Sequence, residues 1–162
     1  MKEYQSWDIL QSYLSSITQQ IALDKFKPDV ILGPGRGGYP VGVMLSHYYN
    51  VPFHGFEWTT RDHGMIKEST RLETILSKYS SDDILLVDDI NDSGHTLNGI
   101  KGVVDEWDSQ ENNNLLALHE GIKYATLFDK ESSAFEHVSF TGNAVTPEEE
   151  KWIVFPYEEW WK

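Results

Sequence analysis

Cysteine is missing from all 162 residues, which excludes disulfides, thiol nucleophiles and Cys-ligated zinc or iron–sulfur sites. Positive charge is scarce as well. Lys and Arg number 13 against 26 Asp and Glu, giving a formal net charge of −13. Such a surface repels nucleic-acid phosphates over most of its area, so DNA and RNA are not expected as partners. No apolar run approaches the roughly 18 residues of a membrane span, and the opening MKEYQSWDIL lacks the signal-peptide pattern. No membrane association and a cytoplasmic setting are therefore expected. Internal repeats, low-complexity tracts and linkers are also lacking.

What is present belongs to a globular chain: 40% hydrophobic and 13% aromatic residues, in a length that suits one domain, 1–162. Trp7, Leu10, Leu14, Ile17 and Ile21 recur at spacings of three and four behind Ser6, which predicts a capped helix over about residues 7–24. DVILG (29–33) reads as a buried strand, PGRGG (34–38) as a tight loop, and YPVGVMLSHYY (39–49) as a helix with Pro40 in its first turn. FHGFEW (53–58), LLALHE (115–120) and YATLF (124–128) read as further strands and RLETILSKY (71–79) as a short helix. The polar stretch 59–70 reads as a mobile excursion and SQENNN (109–114) as a surface turn. The tail VSFTGNAVTPEEEKWIVFPYEEWWK reads as irregular, closer to a lid than to a layer of sheet. Alternating strands and helices predict an α/β fold around a mostly parallel sheet flanked by helices. Ligands of such sheets bind at the carboxyl ends of the strands.

The stretch ILLVDDINDSGHTL (84–97) carries the most chemistry. Its aliphatic run is a strand ending in two adjacent acids, and a loop of small polar residues then opens a helix running to about Trp107. A Ser-Gly-x-Thr loop at a helix start leaves amides and hydroxyls free for a phosphate, aided by the helix dipole. Asp88 and Asp89 stand where sugar hydroxyls or Mg2+ would satisfy them, so a sugar phosphate fits both halves. An ordinary strand–loop–helix corner with Asp and Ser as turn and cap residues is the competing reading. The second stretch, ILGPGRGGYP, places glycines on both sides of Arg36. Close backbone approach and fixed positive charge suit a diphosphate, although a Gly-rich turn with a solvated arginine has the same composition.

ILLVDDINDSGHT resembles the phosphoribosyl pyrophosphate (PRPP) motif of type I phosphoribosyltransferases, and PGRGG resembles their pyrophosphate loop, in family order and spacing. The resemblance is nearest to the xanthine–guanine branch and runs along most of the chain, through SWDILQ, RGG, RDH (61–63), LFDK (127–130) and KWIVFP (151–156). It implies the type I fold with a small C-terminal hood, about 130–162, over the base site, and a flexible loop at about 59–70 that closes over PRPP. By that resemblance Asp88 and Asp89 hold the ribose, with Mg2+ on Asp89. Ser93, Gly94, His95 and Thr96 hold the 5′-phosphate, and Gly35, Arg36, Gly37 and Gly38 contact pyrophosphate beside a non-proline cis peptide. Asp92 is the catalytic residue, a general base or hydrogen-bond acceptor facing the nucleobase, which Lys130, Trp152 and Ile153 bind.

Two positions depart from the family pattern: Ser93 stands for the commoner Thr, and His95 for a usual Gly. DKESSAF (129–135) departs as well, and it bears on the base pocket. Taken alone, Lys130 reads as a solvated lysine and Trp152 as a core aromatic. Together they provide a cation that rejects a 6-amino group and a flat apolar face for a purine. The implied activity is transfer of ribose-5-phosphate from PRPP to a 6-oxopurine (guanine, xanthine or hypoxanthine) with release of pyrophosphate, as in purine salvage. A phosphoribosyltransferase for another base and a non-catalytic PRPP- or nucleotide-binding regulator of the same fold are the alternatives. The Trp-rich tail and the family both point to a homo-oligomer, dimer or tetramer.

Overall fold

A computed structural model describes residues 1–59, 66–80, 82–111, 121–149 and 151–161. Five strands form a wholly parallel sheet in the order β3-β2-β6-β7-β8: β2 is Val30–Pro34, β3 Phe53–Phe56, β6 Ile84–Asn91, β7 Ile122–Lys130 and β8 Val138–Val145. β2 and the first half of β6 read as aliphatic runs because both of their faces are covered. Alternate side chains of β2 and β6 enter two cores. Val30, Leu32, Ile84 and Leu86 join the core beneath α3 (Ser69–Lys78) and α4 (His95–Glu111). Ile31, Leu85 and Val87 join the core beneath α1 (Trp7–Leu23) and α2 (Gly35–Tyr49).

Helix α1 begins where the sequence predicts. The Ser6 hydroxyl accepts the Ile9 N–H at 3.2 Å, and Leu10, Leu14, Ile17 and Ile21 are buried. PGRGG, in contrast, is not a loop. Pro34 ends β2 and Gly35, at φ +48°, turns the chain directly into α2, so Arg36, Gly37 and Gly38 occupy the first helical turn. Pro40 is consequently inside α2, where it removes the hydrogen bond to the carbonyl four residues back. The peptide bonds of the described residues, those at Arg36 included, are all trans; the cis bond expected there is not found.

The tail also departs from expectation. Val138–Val145 is β8, the edge of the main sheet, masked in sequence by Gly142, Asn143 and the partial burial of an edge. Trp152–Val154 forms β9, which pairs in parallel with β1, Lys2–Tyr4, at the other end of the chain. Helix α4 continues four residues past Trp107, through SQE. LLALHE and residues 112–114 of SQENNN lie outside the described residues. Of the 59–70 excursion, residues 60–65 lie outside them too. Its flanks form a short antiparallel ladder, with Trp58–Thr59 (β4) against Ile66–Lys67 (β5).

Candidate active site

The carboxyl ends of β2 and β6 open into a cleft of about 810 Å3. Gly35, Arg36 and Gly37 line it from α2, and Asp88 to Leu97 from the end of β6 and the start of α4. Trp58, Thr59 and Ile66 line it from the β4–β5 ladder, and Trp152, Tyr157 and Trp161 from the C-terminal segment.

The acidic pair sits at the tip of β6. Asp88 is buried and its carboxylate accepts the Asp89 N–H at 2.9 Å. Burial, with the neighbouring Asp89 charge second, pushes the Asp88 carboxyl well above the usual range. Burial likewise raises Asp89 to about 6, opposed by a hydrogen bond from the Tyr157 hydroxyl at 3.0 Å. Two acids crowded at a cleft with their ionised forms disfavoured provide the oxygen donors that a hard divalent cation takes. No group of three or more ligating side chains exists among the described residues. A cation here would complete its shell with substrate oxygens and water, which is the Mg2+ pattern. The donor set fits Mg2+.

Beyond the pair, Gly94 takes φ +82°, and a Cβ there would fall 2.5 Å from the Phe135 amide nitrogen. The loop is thereby pressed against residues 133–135, and Ala134 N–H donates to Ser93 O at 3.3 Å. His95 is exposed at the start of α4, with its Nδ1 sharing a hydrogen bond with Ser93 Oγ at 3.3 Å. Asp92 forms an ion pair with Lys130 Nζ at 2.5 Å. Buried Asn91, next to Asp92 in the chain, ties the end of β6 to residues 129–135. Its amide donates to Asp129 Oδ1 at 2.8 Å and to Phe135 O at 2.9 Å, and it accepts the Ser133 hydroxyl at 2.8 Å. The unusual DKESSAF segment is thus the partner of the PRPP-like loop.

Most residues singled out in the sequence meet at this cleft: Gly35, Arg36, Gly37, Asp88, Asp89, Asp92, Ser93, Gly94, His95, Thr96 and Trp152. Three do not line it. Gly38 lies beneath, where a Cβ would meet Pro34 Cδ and the Val87 carbonyl at 2.7 Å. Lys130 reaches the site through Asp92, and Ile153 pairs with Glu3 in β1. Tyr157, Trp58, Trp161 and Lys2 line the cleft without having been singled out. None lies in a recognisable motif, and Tyr157 reaches Asp89 across 68 residues of chain.

A family model described as a phosphoribosyl transferase domain matches residues 2–160. The chain belongs to the phosphoribosyltransferase family. This phosphoribosyltransferase is similar in structure to the purine phosphoribosyltransferase of Pyrococcus horikoshii OT3 (TM-score 0.68, 26% identity, 98% of this chain and 95% of that one). The xanthine-guanine-hypoxanthine phosphoribosyltransferase of Helicobacter pylori also matches (TM-score 0.65, 20% identity, 98% and 95% coverage). So does the orotate phosphoribosyltransferase of Aeropyrum pernix (TM-score 0.50, 17% identity, 87% and 71%). The fold therefore admits more than one acceptor base. No curated protein sequence matches the transferase. Among its described residues no helix is long and apolar enough to cross a membrane.

Proposed function

We propose that this phosphoribosyltransferase moves ribose-5-phosphate from PRPP to N9 of a 6-oxopurine (guanine, xanthine or hypoxanthine) in purine salvage. The observation that carries the reading is the Asp92–Lys130 pair at 2.5 Å, whose Asp92 lines the cleft beside the Ser93–Thr96 loop and the Trp152 ring. In this reading Asp92 offers a hydrogen-bond acceptor in the cleft, and the Lys130 ammonium directly behind it is the cationic donor for the same edge of the base. A 6-oxopurine presents the complement, an imidazole N–H and a carbonyl oxygen. A 6-amino group would bring a donor towards an ammonium, an unpaired polar contact that the site rejects.

In this reading the N9–C1′ bond forms as the C1′–oxygen bond to pyrophosphate breaks, and the base loses its imidazole proton towards Asp92. Asp88 and Asp89 fix the ribose hydroxyls. Ser93, Gly94, His95 and Thr96 hold the 5′-phosphate at the start of α4. The first turn of α2, with Arg36, receives pyrophosphate through amides and a guanidinium. Asp89 would hold Mg2+, which would supply charge neutralisation for the leaving pyrophosphate. The protein's own task is positioning in a pre-shaped polar site. The segment after β8, with Trp152 and Ile153, acts as a hood on the single transferase domain 1–162, in a cytoplasmic homo-oligomer.

The test is PRPP- and Mg2+-dependent pyrophosphate release against a panel of bases. Release with guanine, xanthine or hypoxanthine and not with adenine or orotate is expected. Release only with orotate or adenine would reassign the acceptor. Tight PRPP binding with no release on any base would replace the enzyme reading with a regulatory one.

A further inference from the structure

Tyr157 belongs to no motif, yet its phenol donates to Asp89 Oδ2 at 3.0 Å. The same carboxylate packs on the bare Cα of Gly37, where a Cβ would lie 2.5–2.6 Å from both carboxylate oxygens and their carbon. Asp89 is thus held between the first turn of α2 and a hydroxyl delivered from the far end of the chain.

The platform under that hydroxyl is built to hold it. The Tyr157 and Phe155 rings are parallel, with centroids 5.4 Å apart and planes 1° apart. Phe155 is buried and meets Phe128 edge-on at 5.8 Å. The Glu158 carboxylate accepts the Phe155 N–H at 2.7 Å, and Glu158 N–H returns a bond to Phe155 O at 3.0 Å. Upstream, the β9–β1 pairing and the Lys2–Glu159 ion pair at 3.0 Å tie this turn to the N-terminus.

We propose that Tyr157 is a positioning residue for PRPP, its hydroxyl fixing the orientation in which the Asp89 carboxylate meets the ribose and the cation. The proposal rests on the phosphoribosyl-transfer reading above. Without the hydroxyl, Asp89 keeps its place in the strand but loses the donor that holds Oδ2, while Glu158 still faces it with like charge. The ring alone suffices for the stacking, so packing and positioning are separable: the ring serves one and the oxygen the other.

Tyr157→Phe removes only the oxygen. PRPP affinity in the presence of Mg2+ and without base, read by calorimetry, should fall about tenfold, the ordinary cost of losing a hydrogen bond to a charged group. The PRPP KM should rise in parallel, with the base KM within about twofold and Tm within about 2 °C of wild type. If wild type binds Mg2+–PRPP and the Phe variant binds it equally well, the positioning role is overturned and the transferase reading stands. Losses of equal size for PRPP and base, or a lowered Tm with PRPP affinity unchanged, assign the phenol to structure alone and also overturn it. If wild type itself fails to bind Mg2+–PRPP, both readings fall.

Discussion

Replacing Asp89 by asparagine should stabilise the ligand-free protein at pH 7.5 and leave it unchanged near pH 3.5. Burial raises the Asp89 carboxyl from its ordinary 3.8 to about 6 in the folded chain, so the native state binds its proton more tightly than the unfolded state does. Below pH 3.8 both states are protonated and the group costs nothing. As pH rises towards about 6 the unfolded state ionises freely while the folded one resists, and stability is lost across that window. At about 1.4 kcal/mol per pKa unit, the full cost above it is about 3 kcal/mol. The open side of the cleft trims this towards about 2 kcal/mol through solvent screening. Asparagine carries no charge, and its side-chain oxygen still accepts from Tyr157, so the variant recovers most of the cost. For a domain of this size that is about 4–8 °C in Tm at pH 7.5. The assay is thermal unfolding of wild type and Asp89→Asn across pH 3.5–8, without PRPP or Mg2+, alongside pyrophosphate release. Activity should be lost where stability is gained, the usual exchange at a functional site. A Tm difference that does not change with pH, or one confined to acid, would refute the electrostatic account of this pair.

Gly37→Ala places a methyl 2.5–2.6 Å from the Asp89 carboxylate; kcat/KM for PRPP should fall at least about tenfold as Asp89 is displaced, and steady-state kinetics at wild-type values would show the close approach to be unimportant. Lys130→Met removes the cation paired with Asp92 and should lower the preference for guanine over adenine by about tenfold or more, measured as a ratio of kcat/KM values; an unchanged ratio would take Lys130 out of base selection.

The PRPP-like loop was legible because everything that makes it lies within Ile84–Thr96: the buried aliphatic run, the paired acids and the glycine that α4 needs at its start. Helix α1 was legible for the same reason, since its cap and its apolar face are separated by only a few residues. The tail was misread because edge strand β8 buries only part of itself and its Thr-Gly-Asn centre imitates a turn. PGRGG was misread because a glycine that can take φ +48° serves a strand-to-helix junction as well as a loop, and composition does not distinguish them.

Local chemistry along the chain therefore determined the parallel α/β order and the acidic, hydroxyl-rich loop, because periodicity, capping and turn preference act within a few residues. Only the tertiary structure decided what surrounds that loop. Pairing β1 with β9, setting Asn91 on Ser133 and bringing Tyr157 to Asp89 all depend on how two cores pack on opposite faces of one sheet. Contacts of that kind bury and satisfy polar groups far apart in sequence, and no local pattern records which distant group will be the partner.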